Sequence, residues 1–185
     1  MPRIDAIETT EAAPKAKSLL EGVQKKLGMT PNLMSTMANS PAVLEAYLGF
    51  SNSLGQSSLS AKLREQIALT VGQVNQCGYC LAAHSALGKM AGLGDEEIAD
   101  SRRGASTDRK TEAVLQFARK IVTERGLVSD DDVQSVRAAG VSDAEIAETV
   151  AAVALNIFTN YFNHVAGTEV DFPEVEPVEA PACNC

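Results

Sequence analysis

Apolar positions recur along this chain at helical spacing and almost nowhere in the alternation of a half-buried strand. Leu19, Leu20 and Val23 mark a first helix that Thr9 or Thr10 can cap and Gly28 can close. Pro31 opens a short helical stretch with Leu33, Met34 and Met37 on one side. Ser40-Pro41 pairs a capping residue with a proline at the first helical position. The helix it starts carries Val43, Leu44, Tyr47 and Leu48 and is expected to end near Ser53 to Gly55. Ser60 caps the next, where Leu63, Ile67, Val71 and Val74 recur at spacings of four and three. Asn75-Gln76 breaks the pattern before a further helix from about Cys77 to Met90. A long helix follows from about Asp108 to Glu124, with Val114, Leu115, Ala118, Ile121 and Val122. The last, Asp143 to about His164, is alanine-rich and apolar over much of its girth, which predicts a central position. The fold class these patterns predict is all-α.

Residues 92–100 resemble residues 140–148, and both stretches read as helix starts, where acidic side chains are favoured on electrostatic grounds alone. Glu65 and His84 are nineteen residues apart, as are Glu145 and His164, with Ile157 and Asn160 where the cysteines would fall. A degenerate internal repeat and shared capping chemistry both account for this. After Gly167 the composition changes. Pro173, Pro177 and Pro181 exclude a helix, so residues 170–185 are expected to form an extended Pro/Glu-rich arm after a helical domain of residues 1–169. That arm would lie on this subunit or a neighbour and ends in Cys183-Asn184-Cys185.

At 185 residues the chain is large enough to bury a core without metal or disulfide staples. Its apolar share is 45% but its aromatic share only 4%, a balance that suits closely packed helices better than a sheet sandwich. The formal charge of -8 repels phosphate backbones, and Arg102-Arg103 and Arg109-Lys110 are too short to make a basic patch, so no nucleic-acid partner is expected. The richest apolar run, Val150 to Phe158, falls well short of the roughly 18 residues of a membrane span. Met1-Pro2-Arg3-Ile4-Asp5 lacks the hydrophobic stretch of a secretory signal, so a cytoplasmic location is expected. Thiols stay reduced there, and closely spaced cysteines read as catalytic or metal-binding before they read as staples.

The stretch that carries chemistry is Cys77-Gly78-Tyr79-Cys80-Leu81-Ala82-Ala83-His84. On a helix, spacings of three and four put both cysteines and His84 on one face. Two thiols so placed can close into a disulfide with little backbone movement, and the free amides of a helix start stabilise a thiolate. An unperturbed thiol has a pKa of about 8.5, so a base or an anion-stabilising group is needed at neutral pH, and His84 is the nearest candidate. Cys77 sits nearer the helix start, which by position alone favours it as nucleophile. Glu65, twelve residues before Cys77 on the preceding helix, either reaches this site through a helical hairpin or pairs with Lys62 or Arg64 in solvent.

Glu65, eleven residues, Cys77-x-x-Cys80, three residues and His84 resemble the signature of the AhpD-like alkylhydroperoxidases of the carboxymuconolactone decarboxylase superfamily. The similarity extends through Pro31-Asn32-Leu33-Met34 and Asn160-Tyr161-Phe162-Asn163-His164 to Val170-Asp171-Phe172-Pro173, roughly residues 5 to 175. The resemblance implies an all-helical fold, a homo-oligomer (trimer or hexamer), and reduction of organic hydroperoxides with re-reduction by a thiol or dithiol donor. It also implies that Cys80 is the peroxidatic thiol, oxidised to a sulfenic acid, and that Cys77 resolves it as a disulfide. His84 and Glu65 would form the proton relay, with Glu65 serving Cys77. The best-known members carry a second His between the cysteines, where this chain has Tyr79, which can donate a hydrogen bond but takes no proton near neutral pH. That departure points to a broader, peroxidase-related subfamily.

Other readings of the same atoms are a zinc site using Cys77, Cys80 and His84 with His164, Cys183 or Cys185 as fourth ligand, and a non-enzymatic redox sensor or partner-binding protein. A carboxymuconolactone-type decarboxylase is disfavoured, since such enzymes do not use a Cys-x-x-Cys pair. His164 invites an auxiliary role, against the commoner case of a helix-end histidine satisfied by carbonyls or a neighbouring subunit. Cys183 and Cys185 could pass electrons to the main pair, bind soft metal, or stand idle. Gly88, Gly92 and Gly94 follow a helix rather than forming a phosphate loop, so no flavin or nicotinamide cofactor is expected.

Overall fold

The computed structural model describes residues 1–175, which form nine α-helices and no strand. In chain order these are α1 (Pro14–Leu27), α2 (Asn32–Met37), α3 (Pro41–Leu54), α4 (Ala61–Val74), α5 (Gly78–Met90), α6 (Asp95–Arg103), α7 (Arg109–Thr123), α8 (Asp130–Ala138) and α9 (Asp143–Ala166). None is long and apolar enough to cross a membrane.

Most of the starts follow local capping chemistry. Ser60 Oγ accepts the Leu63 amide at 3.1 Å to open α4, and Asp108 Oδ1 accepts that of Thr111 at 2.8 Å to open α7. At α9, Ser142 Oγ accepts the Glu145 amide while Glu145 Oε2 accepts that of Ser142 at 2.8 Å, a reciprocal capping box. α1 departs from expectation: it begins at Pro14, not after Thr9 or Thr10. Pro14 disfavours helical backbone at Ala13 and brings no amide to a longer helix, so the helix starts on it. α8 has no counterpart among the sequence-predicted helices. Val136 is its one buried residue, which leaves almost no apolar periodicity to read, although Ser129 and Asp132 form a capping box at its start.

α4, rather than the last helix, is the hub. Its residues from Gln66 to Gly72 are all buried, and it packs against α5, α6, α7 and α9. Ile67 and Val71 meet Val114, Leu115, Ala118 and Val153 on one side, while Leu69 meets Leu81, Leu93 and Ile98 on another. A separate cluster joins Leu20, Met37 and Leu44 of α1 to α3 with Cys77, Cys80 and Ala83. The cysteines therefore lie in the seam between the first three helices and the α4–α5 hairpin.

α9 is covered on one side only, and that side is unexpectedly polar. Thr149, Asn156, Thr159, Asn160 and Asn163 are buried, while Val150, Phe158, Tyr161 and Val165 are exposed. Thr149 and Asn156 meet their burial cost by donating to carbonyls one turn back, at 2.7 and 2.9 Å. Beyond α9 the chain returns across the first helices. The Asn32 amide donates to Asp171 Oδ2 at 2.8 Å, and Phe172 meets Tyr79 edge-on with ring centres 5.8 Å apart.

Candidate active site

The α4–α5 connection is a tight helical stop that aims Cys77 into the seam. The Cys77 amide donates to the Gly72 carbonyl at 2.9 Å and the Gln76 amide to that of Gln73 at 3.2 Å, with Gln76 left-handed at φ 54°. This is the bonding of a Schellman motif with glutamine where glycine is usual. Cys77 is accordingly not on the helix but caps it: its Sγ accepts the Cys80 amide at 3.3 Å. The two sulfurs still face one another's surroundings, because capping and third helical positions lie on the same side of the turn.

Both cysteines are buried, at 1% and 2% exposure, so only a molecule admitted to the interior can reach them. From α9, Asn163 Nδ2 lies 3.3 Å from Cys80 Sγ and 3.9 Å from Cys77 Sγ. The same helix holds the turn: Asn75 Nδ2 donates to Asn160 Oδ1, and His164 Nε2 donates to the Asn75 carbonyl, each at 2.8 Å. His164 is thus satisfied by a carbonyl. The hydrogen bond from the Cys80 thiol pulls Cys77 down to about 7 against the cost of burial, with the Cys80 amide, His164 and Asn163 assisting. Cys80 moves the other way, pushed up because its proton is held by Cys77 and because it is buried beside that charge. Cys77 is thus the more acidic of the two thiols, the direction that its place at the helix start favours.

Glu65 does reach the site. Its Oε2 is 2.7 Å from His84 Nδ1, while Lys62, the solvent partner considered for it, pairs with Glu97 at 2.6 Å. A carboxylate only accepts, so Nδ1 carries a proton, and in the neutral ring Nε2 presents its lone pair. Cys80, His84 and Tyr79 line a cavity of about 300 Å³, whose other walls include Leu33, Met34, Leu87 and Phe172. A smaller one of about 100 Å³ is lined by Glu65 and Asn156, and His84, Tyr47 and Thr159 border both. Cys77 lines neither. A larger groove of about 420 Å³ between α7 and α8 holds none of these residues and has no part in the site.

Tyr79 accepts the Leu33 amide on its hydroxyl at 3.2 Å, and burial keeps that phenol protonated. Its hydroxyl ties α5 to the start of α2. Glu145 and His164 share one helix, about 28 Å apart at 1.5 Å per residue, and do not form a second pair. Glu145 bonds Lys110 at 2.7 Å instead. Among the described residues no group of three or more His, Cys, Asp or Glu side chains is arranged to hold a metal ion. Cys183 and Cys185 lie outside the described residues. The sequence reading missed Asn160, Asn163 and Tyr47 as site residues. The two asparagines had a signal, amides three apart on a largely apolar helix; Tyr47 had none, since it sits at an ordinary core position of α3.

The carboxymuconolactone decarboxylase family model matches residues 41–124, from α3 through α7. No curated protein matches the chain. Among solved structures, the alkylhydroperoxidase AhpD core, an uncharacterized peroxidase-related protein from Ralstonia eutropha JMP134, is 23% identical with a TM-score of 0.84 over 92% of each chain. A peroxidase-related protein from Silicibacter sp. TM1040 is 27% identical with a TM-score of 0.79, over 90% of this chain and 92% of its own. The debrominase Bmp8, as a cysteine-to-alanine variant in complex with 2,3,4-tribromopyrrole, is 18% identical with a TM-score of 0.78 over 91% of each chain. The fold is therefore that of the AhpD-like helical proteins. The carboxymuconolactone decarboxylase match spans α3 through α7, and the likeness of fold to the AhpD-like proteins extends over some nine-tenths of the chain. Peroxidase-related proteins and a debrominase share this architecture, so the reaction has to be argued from the site.

Proposed function

We propose that this protein is a thiol-dependent peroxidase that reduces organic hydroperoxides through the Cys77–Cys80 pair and is re-reduced by a thiol or dithiol donor. One observation carries the reading: a buried dithiol, with Cys77 made the more acidic member, borders an apolar cavity through Cys80, beside a histidine whose far nitrogen is held by a carboxylate. The peroxide meets Cys80, because Cys77 does not line the cavity. Cys80 passes its proton to the Cys77 thiolate or to His84 Nε2, and its sulfur attacks the terminal peroxide oxygen to form a sulfenic acid. Cys77 then displaces water from that sulfur and closes the disulfide. The apolar walls favour substrates with a hydrocarbon body over hydrogen peroxide.

The exposed apolar side of α9 supports the further proposal that the chain works as a homo-oligomer, with Val150, Phe158, Tyr161 and Val165 in the contact.

The test is a thiol count with peptide mapping before and after one equivalent of cumene hydroperoxide. The expected product is a Cys77–Cys80 disulfide. Cys80→Ser should abolish the reaction, and Cys77→Ser should leave a sulfenic acid on Cys80 that a dimedone probe captures. If neither sulfur is linked or oxygenated, the reading fails. Turnover of a halogenated aromatic without any peroxide turnover would move it to reductive dehalogenation.

A further inference from the structure

Tyr47 stands on α3 where the two cavities meet, lining both the one that holds Cys80 and the one that holds Glu65. Its ring is half-buried against the cluster that contains both cysteines. Its hydroxyl makes no hydrogen bond to any described residue and is not sealed from the cavity space. Of the other tyrosines, Tyr79 has its hydroxyl engaged by the Leu33 amide and Tyr161 faces solvent. Tyr47 alone offers an uncommitted hydroxyl beside the reacting sulfur.

Peroxide reduction asks for two opposite proton movements in one space. A thiol must lose a proton, and the departing oxygen must gain one. His84 suits the first, since Nδ1 is committed to Glu65 and Nε2 accepts. We infer that Tyr47 supplies the second, as the general acid that protonates the leaving alkoxide when Cys80 reduces an organic hydroperoxide; this rests on the peroxidase reading above. The Cys80 thiolate forms a bond to the terminal oxygen of R–O–O–H, the O–O bond breaks, and its electron pair leaves on R–O⁻. Sulfur is oxidised by two electrons to the sulfenic acid and the peroxide is reduced. R–O⁻ takes the Tyr47 proton to become the alcohol, and the phenolate regains a proton from water.

Chemistry agrees with the placement. Burial, with the charges of Cys80 and Glu65 behind it, pushes the Tyr47 phenol up to about 12, so it enters the reaction protonated. An alkoxide is a stronger base than a phenolate, so the transfer runs downhill.

The discriminating experiment compares two oxidants of different leaving-group basicity in single-turnover thiol oxidation of the full chain. tert-Butyl hydroperoxide expels an alkoxide, which needs a proton; 3-chloroperoxybenzoic acid expels a carboxylate, which does not. In Tyr47→Phe the ratio of the alkyl-hydroperoxide rate to the peracid rate should fall about 10²-fold relative to wild type, the scale of a lost general acid. The ratio is internal to each sample, so partial loss of folded protein cancels. An unchanged ratio, whether both rates hold or both fall, overturns the assignment of Tyr47 while leaving the peroxidase reading intact. Wild-type protein that reduces neither oxidant overturns the peroxidase reading and the inference with it.

Discussion

Asn163, in the last turn of α9, holds its side-chain amide 3.3 Å from Cys80 Sγ although the two residues are 83 apart in the chain. An amide N–H so placed favours a thiolate over a thiol at a buried sulfur, and it reaches Cys77 as well. Asn163→Leu keeps much of the volume and deletes the donor. Oxidation of the pair by a hydroperoxide at neutral pH should then slow about 3- to 10-fold. Stopped-flow thiol loss measures it, and an unchanged rate would make the amide a packing group.

The reduced pair should titrate as one thiolate with a midpoint well below that of a free thiol. Cys77 is held down to about 7 from an ordinary 9.0, so alkylation by iodoacetamide should rise as pH rises through about 7 and fall away below it. Cys80, pushed upward, keeps its proton over that range. The leading cause is the hydrogen bond from the Cys80 thiol, so Cys80→Ala should move the Cys77 midpoint up. A wild-type midpoint near 9.0, or two thiolates titrating together, would contradict this account.

The Glu65–His84 pair predicts unequal losses. His84→Gln removes the ring proposed to accept the thiol proton and should slow peroxide reduction by about 10²- to 10⁴-fold. Glu65→Gln leaves an oxygen beside Nδ1 but not the charge that fixes the tautomer, and should cost less, roughly 10- to 10²-fold. Single-turnover rates of both variants decide. A Glu65→Gln loss larger than that of His84→Gln would mean that the carboxylate acts on the cysteines directly.

Gln76 carries strain next to the site. Its φ of 54° is a left-handed conformation that side chains with a branched Cβ tolerate poorly. Gln76→Val should cost about 1–2 kcal/mol in urea unfolding, while Gln76→Gly should be neutral or stabilising by up to about 1 kcal/mol. If Gln76→Val is as stable as wild type, the turn is not held in that conformation in solution.

Much of the fold was legible because helix starts and stops are local. The Ser40-Pro41, Ser60, Asp108 and Asp143 starts and the Gly28 stop need only a few neighbouring residues, and the structure has a boundary at each. α8 escaped because it buries one residue. The central position expected for α9 went instead to α4, since alanine-rich apolarity says that a helix will be covered but not by what; much of the apolar side of α9 faces outward from the chain.

The sequence by itself determined that two thiols and a histidine would share one side of a helix start, because three- and four-residue spacings fix that regardless of the rest of the chain. Which thiol meets the cavity, which one is the more acidic, and that Glu65, Tyr47 and Asn163 gather around them were decided only by packing. Those relations join α3, α4, α5 and α9 across 18 to 86 residues of chain, distances over which no local rule of spacing operates.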